Sequence, residues 1–237
     1  MRTVFVLVAI FISTLSWGQK LKIAPVIGLH MSTVNYSDDF KEALDLALSA
    51  DNKIKYKPVV SGSFGIWGDY TFSDKIGFRS GLLVNMRGNN IKLKFDDVNV
   101  SIKQRYTYLE IPLLVTYQLG DKPFKLLAGP TIGFALSARQ KVKGSIEDGD
   151  NGGTASASES HKLSIGNDPN EDDIRPIDIG INLGVAKTIS LSENPLELSF
   201  SVVPSISKHT TQTDLSSDYF GRHFSLGFKL AYFFSIK

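Results

Sequence analysis

From Phe224 the chain alternates with a period of two. Phe224, Leu226, Phe228, Leu230, Tyr232, Phe234 and Ile236 are large and apolar, and the positions between them, Phe233 apart, are small or polar. Successive side chains of a strand point to opposite faces, so one face here is an apolar stripe and the other is small, wet or charged. Seven earlier stretches repeat the pattern, at 20–34, 57–72, 75–87, 101–119, 123–141, 174–189 and 196–207. In the third, Ile76, Phe78, Leu82, Val84 and Met86 oppose Gly77, Arg79, Gly81, Asn85 and Arg87. In the fourth, Leu109, Ile111, Leu113, Val115 and Tyr117 oppose Tyr108, Glu110, Pro112 and Thr116. Eight strands of shared parity follow.

The connections carry an independent signal. Links at 73–74, 120–122 and 190–195 are short, and links at 35–56, 88–100, 142–173 and 208–221 are long. Short and long alternate strictly, as in barrels with tight periplasmic turns and long extracellular loops. At the start, Met1-Arg2 precedes an uncharged run to Leu15, and Ser16-Trp17-Gly18 offers small residues at the −3 and −1 sites. This is a secretory leader, expected to be cleaved after Gly18, and it turns the apolar faces toward lipid. The expectation is residues 1–18 as signal peptide and 19–237 as one all-β domain. That domain is an eight-stranded antiparallel up-and-down transmembrane β-barrel with short periplasmic turns and long extracellular loops.

Composition agrees with that architecture. A net charge of +2 gives no case for nucleic acid, and the absence of cysteine excludes disulfides and thiolate chemistry. Mean hydropathy near zero excludes a bundle of membrane helices but is what alternation between lipid and lumen averages to. Within the first long link, 38–50 combines helix formers with Asp38 and Asp39 at its start, predicting a short helix over the barrel mouth. Residues 146–160 are low in complexity and are read as a loop that does not order itself. Their acidic residues, with those at 168–173, lack the spacing of a calcium loop and are read as solvated.

Tyr108-Leu109-Glu110-Ile111-Pro112-Leu113-Leu114, followed by Leu127-Ala128-Gly129-Pro130-Thr131-Ile132-Gly133, resembles the hallmark segment of the PorT-like outer-membrane β-barrel family of the Bacteroidota. The resemblance implies an eight-stranded outer-membrane barrel. One branch of that family takes part in type IX secretion and gliding.

Parity assigns the inner face. Arg79, Arg87, Glu110, Arg139, Asp178, Glu197 and Lys229 share it, as do Asp69 and Lys125. A carboxylate in a narrow lumen must find cations or donors, so these residues are expected to form a structural charge network that plugs the bore. Pro112 cannot donate a ladder bond and predicts a bulge or kink. Tyr56, Trp67, Tyr70, Tyr106 and Tyr117 lie near strand ends as partial aromatic girdles, Trp67 with inward parity. His30 and His223 are lumenal and are the candidates for acid–base or metal chemistry should the ring bring them together. No serine sits in a nucleophile elbow and no HExxH occurs.

The expected function is therefore non-enzymatic, a structural or interaction protein of the outer membrane within an envelope secretion or motility complex. A small-ligand or ion-binding barrel stands second and a barrel-embedded hydrolase or acyltransferase third. No catalytic residue, cofactor or metal is assigned. The partners are outer-membrane lipid and, through 35–56 and 142–173, other envelope proteins.

Overall fold

A computed structural model describes residues 21–47, 53–95, 98–147, 154–168, 170–191, 194–210 and 221–235. The expected leader, residues 1–18, and its expected cleavage site lie outside the described residues. Eight antiparallel strands form a ring: β1 (Leu21–Tyr36), β2 (Lys53–Thr71), β3 (Ile76–Phe95), β4 (Val98–Gln118), β5 (Phe124–Glu147), β7 (Ile177–Leu191), β8 (Asn194–Pro204) and β9 (Gly221–Tyr232). Each pairs with the next, and β1 closes the ring on β9 from Val26↔Ala231 to Tyr36↔Gly221. Closure leaves no free edge within the ring itself, which lets a β structure cross lipid. A short β10 (Phe234–Ser235) continues β9 and pairs with β1 at Lys22 and Ile23.

The outer faces carry the apolar positions expected of them. Ile27, Leu29, Val60, Phe64, Leu82, Val115, Leu183 and Phe228 are all exposed, whereas Ala24, Ser63, Arg79, Glu110, Thr131 and Ser201 on the opposite parity are buried. Trp67 and Tyr106 are also buried inside, so neither belongs to a girdle; Tyr117 is exposed on the outside.

Two of the expected loops are strands. β3 and β4 run on to Phe95 and Val98 in unbroken register, so most of 88–100 is hairpin, with 96–97 outside the described residues. Likewise β5 continues to Glu147 and pairs with β6 (Thr154–Lys162), including Lys143↔Ser158 and Ser145↔Ser156. The described residues of the low-complexity segment, 146–147 and 154–160, are ordered because their backbone joins a ladder, and that gain does not depend on the side chains burying apolar surface. One end of the ring therefore has short connections, at 72–75 and 119–123, while the other rises into a sheet of β2 to β6.

The helix α1 (Asp38–Ala47) forms where expected. Ser37 accepts from the Phe40 N–H as its N-cap, Asp38 and Asp39 occupy the first turn, and Phe40 stacks on Tyr36 at 4.7 Å.

The register departs from simple alternation at two places. In β2 four residues between Pro58 and Ser63 face three of β3, which leaves Lys55 and Lys57 exposed although they share the parity of buried Ser63. The second bulge is in β5. Thr107 pairs with Ser137 and Tyr108 with Ala135, leaving Leu136 as an extra residue in β5. A one-residue bulge exchanges the faces of everything beyond it. Below the bulge Thr131 and Gly133 are inward; above it Ala138 is inward and Arg139 is exposed on the outer face. Arg139 is thus not in the lumen, contrary to its parity in an uninterrupted strand. Pro112, by contrast, inserts nothing: the ladder skips Leu113 and Leu114, then resumes in the same register at Val115↔Ala128. Gly129 sits in that gap, where a Cβ would collide with the Leu113 carbonyl, which explains the glycine before Pro130.

Candidate functional site

Parity sends charged side chains into the bore, and the ring is narrow enough for them to meet across it. Near the short-connection end, Arg79 on β3 binds two carboxylates. Its Nε and Nη2 donate to Asp69 at 2.9 and 2.7 Å, and its Nη1 and Nη2 donate to Glu197 at 2.6 and 3.0 Å. Lys125 lies 3.4 Å from Asp69 and 3.3 Å from Glu197. The guanidinium packs over Trp67 at 4.6 Å and Phe233 at 5.2 Å. Both carboxylates are held in two-pronged pairs, the geometry in which buried charge is best compensated.

A second tier lies above it. Arg87 donates to Asp178 at 2.5 Å and to Glu110 at 2.6 Å. Asn85 adds a donor to Glu110 at 2.8 Å, and Ser205 and Ser207 each donate to Asp178 at 2.8 Å. Lys229 is lumenal as expected, yet its ammonium donates to Ser201 at 3.2 Å and joins no ion pair among the described residues. Of the expected network, Arg79, Arg87, Glu110, Asp178 and Glu197 are assembled, Lys229 stands beside it, and Arg139 is outside.

The histidines sort differently. His30 and His223 face Gly227 and Val34 respectively, so they are separated along the β1–β9 ladder and do not meet. His30 Nε2 instead contacts the Met86 carbonyl at 2.5 Å, bridging β1 to β3. His223 stacks edgewise with His209 at 4.2 Å and with Tyr106 at 5.1 Å, and its Nε2 lies 3.1 Å from the Tyr108 hydroxyl. His209, which no sequence signal marks, lies 4.4 Å from Tyr106, a residue expected in a girdle. Burial pulls the His209 pKa down to about 4, with the Asp178 charge opposing and the Arg87 charge assisting.

The outer face of the long-connection end holds the other charge cluster. Lys55 lies opposite Lys92, Lys103 opposite Lys141, and Arg105 opposite Arg139. Each dipeptide repeat behind it (Lys55-Tyr56-Lys57, Lys92-Leu93-Lys94, Lys103-Gln104-Arg105, Arg139-Gln140-Lys141) has the period of a strand; the last two lie within expected strands, whereas Lys92-Leu93-Lys94 lies in an expected loop. Near neutrality of the whole chain concealed it, since acidic residues elsewhere in the sequence, Asp38, Asp39, Asp168, Glu171, Asp172 and Asp173 among them, offset these cations.

A family model described as "Outer membrane protein beta-barrel domain" matches residues 17–211. Solved structures of similar arrangement include Ail, the attachment invasion locus protein of Yersinia pestis, at 12% identity, covering 90% of this chain and 98% of that one with a TM-score of 0.37. Neisserial surface protein A matches at 11% identity over 90% and 97% of the two chains, TM-score 0.38. The outer membrane protease OmpT of Escherichia coli matches at 7% over 92% and 97%, TM-score 0.37. Likeness at this level bears on no activity. No curated protein matches the chain.

Proposed function

The chain belongs to the outer membrane protein beta-barrel domain family, and from that premise we propose a non-enzymatic, non-conducting barrel that acts through its external surface as an interaction protein of the outer membrane. The observation that carries the proposal is the pairing of Arg79 with Glu197. In the order β1-β2-β3-β4-β5-β7-β8-β9, β3 and β8 stand four places apart in a ring of eight, the largest separation available. An ion pair between opposite walls occupies the middle of the bore. The Arg87–Asp178 pair, from β3 to β7 three places away, also crosses the bore, one tier higher. These carboxylates are engaged by guanidinium groups, so none is presented to a substrate.

The surface left for work is α1 and the sheet of β2 to β6, at the end that barrels of this kind turn outward. We read the 108–114 and 127–133 segments as marking the PorT-like branch of the Bacteroidota, and the complex served as an envelope secretion or motility assembly of the type IX kind. Two measurements test the proposal. In planar bilayers the purified protein is expected to give no ion-sized conductance steps; steady open-channel current refutes a closed bore. Cross-linking in native outer membranes through cysteines placed in α1 or β6 is expected to trap an envelope protein; the absence of any adduct removes the interaction role.

A further inference from the structure

We propose that the outer face of the β2–β6 sheet binds the phosphorylated, acidic head group of an outer-leaflet glycolipid, with the long-connection end facing outward.

Cross-strand partners share a face, so the register alone maps the surface. Arg105, Arg139 and Lys162 form one row across β4, β5 and β6. Two residues further along each strand, Lys57, Asn90, Lys103, Lys141 and Ser160 form the next. Lys55, Lys92, Ser101, Lys143 and Ser158 follow, then Lys94, Asn99, Ser145 and Ser156. Every charged residue in these rows is a lysine or an arginine. Like charges placed directly opposite destabilise a sheet, and three such pairs (Lys55–Lys92, Lys103–Lys141, Arg105–Arg139) stand in adjacent rows. An arrangement that opposes folding in this way is relieved by an anion.

The surface is also shaped. The twisted sheet holds a groove of about 700 Å³ lined by Lys55, Lys57, Lys92, Lys94 and Lys143 among serines and Asn99. Beside it a groove of about 410 Å³ is lined by Lys103, Arg105, Arg139, Lys141, Lys143 and Ser160. Both are of a size that encloses a small ligand group.

Continuity with the lipid stripe selects the occupant. On the same strands and the same face, the rows immediately below Arg105 hold Met86 with Thr107, then Val84, Leu109 and Phe134. The cations therefore begin where the apolar belt ends, at the level of lipid head groups, and their long stems can lie along that boundary. From the Arg105 row to the Asn99 row is six residues, roughly 20 Å along the strands at about 3.4 Å per residue. A phospholipid head group reaches only the first row. A glycolipid whose phosphates and acidic core sugars stand above the acyl chains reaches them all.

The test uses the full chain refolded in detergent, with fluorescent deep-rough lipopolysaccharide in mixed micelles as probe. Binding is expected to weaken roughly tenfold or more in the combined variant Lys92→Gln, Lys103→Gln, Lys141→Gln, Lys143→Gln, and with added salt. It is expected to survive the same four positions changed to Arg, a control for folding, and to be lost when the probe is dephosphorylated. Undiminished binding by the glutamine variant overturns the proposal. So does saturable binding of soluble heparin with none of the glycolipid, which would make the face a site for a free polyanion. A conducting bore or a missing protein partner would leave these results unchanged.

Discussion

The Tyr108 hydroxyl and His223 Nε2 lie 3.1 Å apart although β4 and β9 are opposite one another in the ring. Like Arg79 with Glu197, this contact spans the bore, here with a neutral hydrogen bond instead of an ion pair. Tyr108→Phe keeps the ring against His223 and removes only the hydroxyl. Loss of about 1–3 kcal/mol is expected, because the imidazole nitrogen is left buried without its partner. Urea unfolding in detergent, followed by tryptophan fluorescence, measures it.

Arg79 neutralises two buried carboxylates at once, so removing it should cost more. Arg79→Met is expected to destabilise the barrel by about 3–5 kcal/mol, the range for stripping one partner from a buried pair. Adding Asp69→Asn and Glu197→Gln should recover a large part of that loss, since no buried carboxylate is then left without its guanidinium and the one cation that loses its partners, Lys125, is partly exposed to water. If the triple variant were as unstable as Arg79→Met, the charge pairing would not be the source of the effect.

Deleting Leu136 tests the bulge. Without the extra residue β5 must either turn Arg139 and Lys141 toward the mouth or slip against β4, and both disrupt the ladder above Tyr108. Hydrogen exchange is expected to lose protection across 137–147 and 154–162 while β7 and β8 retain theirs. Unchanged protection at 137–147 counts against the bulge as the device that sets the outer face.

Arg139 opposite Arg105 predicts a stabilising substitution. Arg139→Ser relieves a like-charge pair on an exposed face and should raise stability by about 0.2–1 kcal/mol. The gain should shrink at high salt, where the repulsion is screened. A Tm series between low and high salt reads both effects.

His209 adds a pH dependence whose sign is fixed by its depressed pKa. Its ordinary value is 6.5 and burial holds it at about 4. Above pH 6.5 the docked and released forms are both neutral, and the contact with Tyr106 and His223 is at full strength. As pH falls from 6.5 toward 4, only the released form takes up a proton, so docking weakens throughout that interval. Hydrogen-exchange protection factors at 205–210, taken relative to the intrinsic rate at each pH, should fall between pH 7.5 and 4.5, and His209→Gln should flatten the profile.

Much of this architecture is legible in the amino-acid sequence. Period-two alternation with a shared parity specified the ring, because a strand one of whose faces meets lipid cannot exchange its faces. The same parity found Arg79, Glu110 and Asp178. It failed at Arg139 because a single inserted residue reverses facing, and neither Leu136 nor its neighbours differ in composition from the rest of β5. The sheet of β2 to β6 is hidden for another reason: its lysines and serines have the composition of a loop, whereas backbone pairing orders them whatever their polarity. His209 follows β8 in a segment with no periodicity, and only the closed ring brings it against Tyr106.

Ion pairs between opposite walls also constrain how this barrel is made. Arg79 enters with the second hairpin and Glu197 with the last, so until β8 arrives the arginine has Asp69 alone and an open, wet side. Zipping β9 against β1 and drying the interior are consequently one event. A partly inserted sheet keeps hydrated charges facing the bilayer core, which penalises every intermediate short of closure and makes the final step all-or-none.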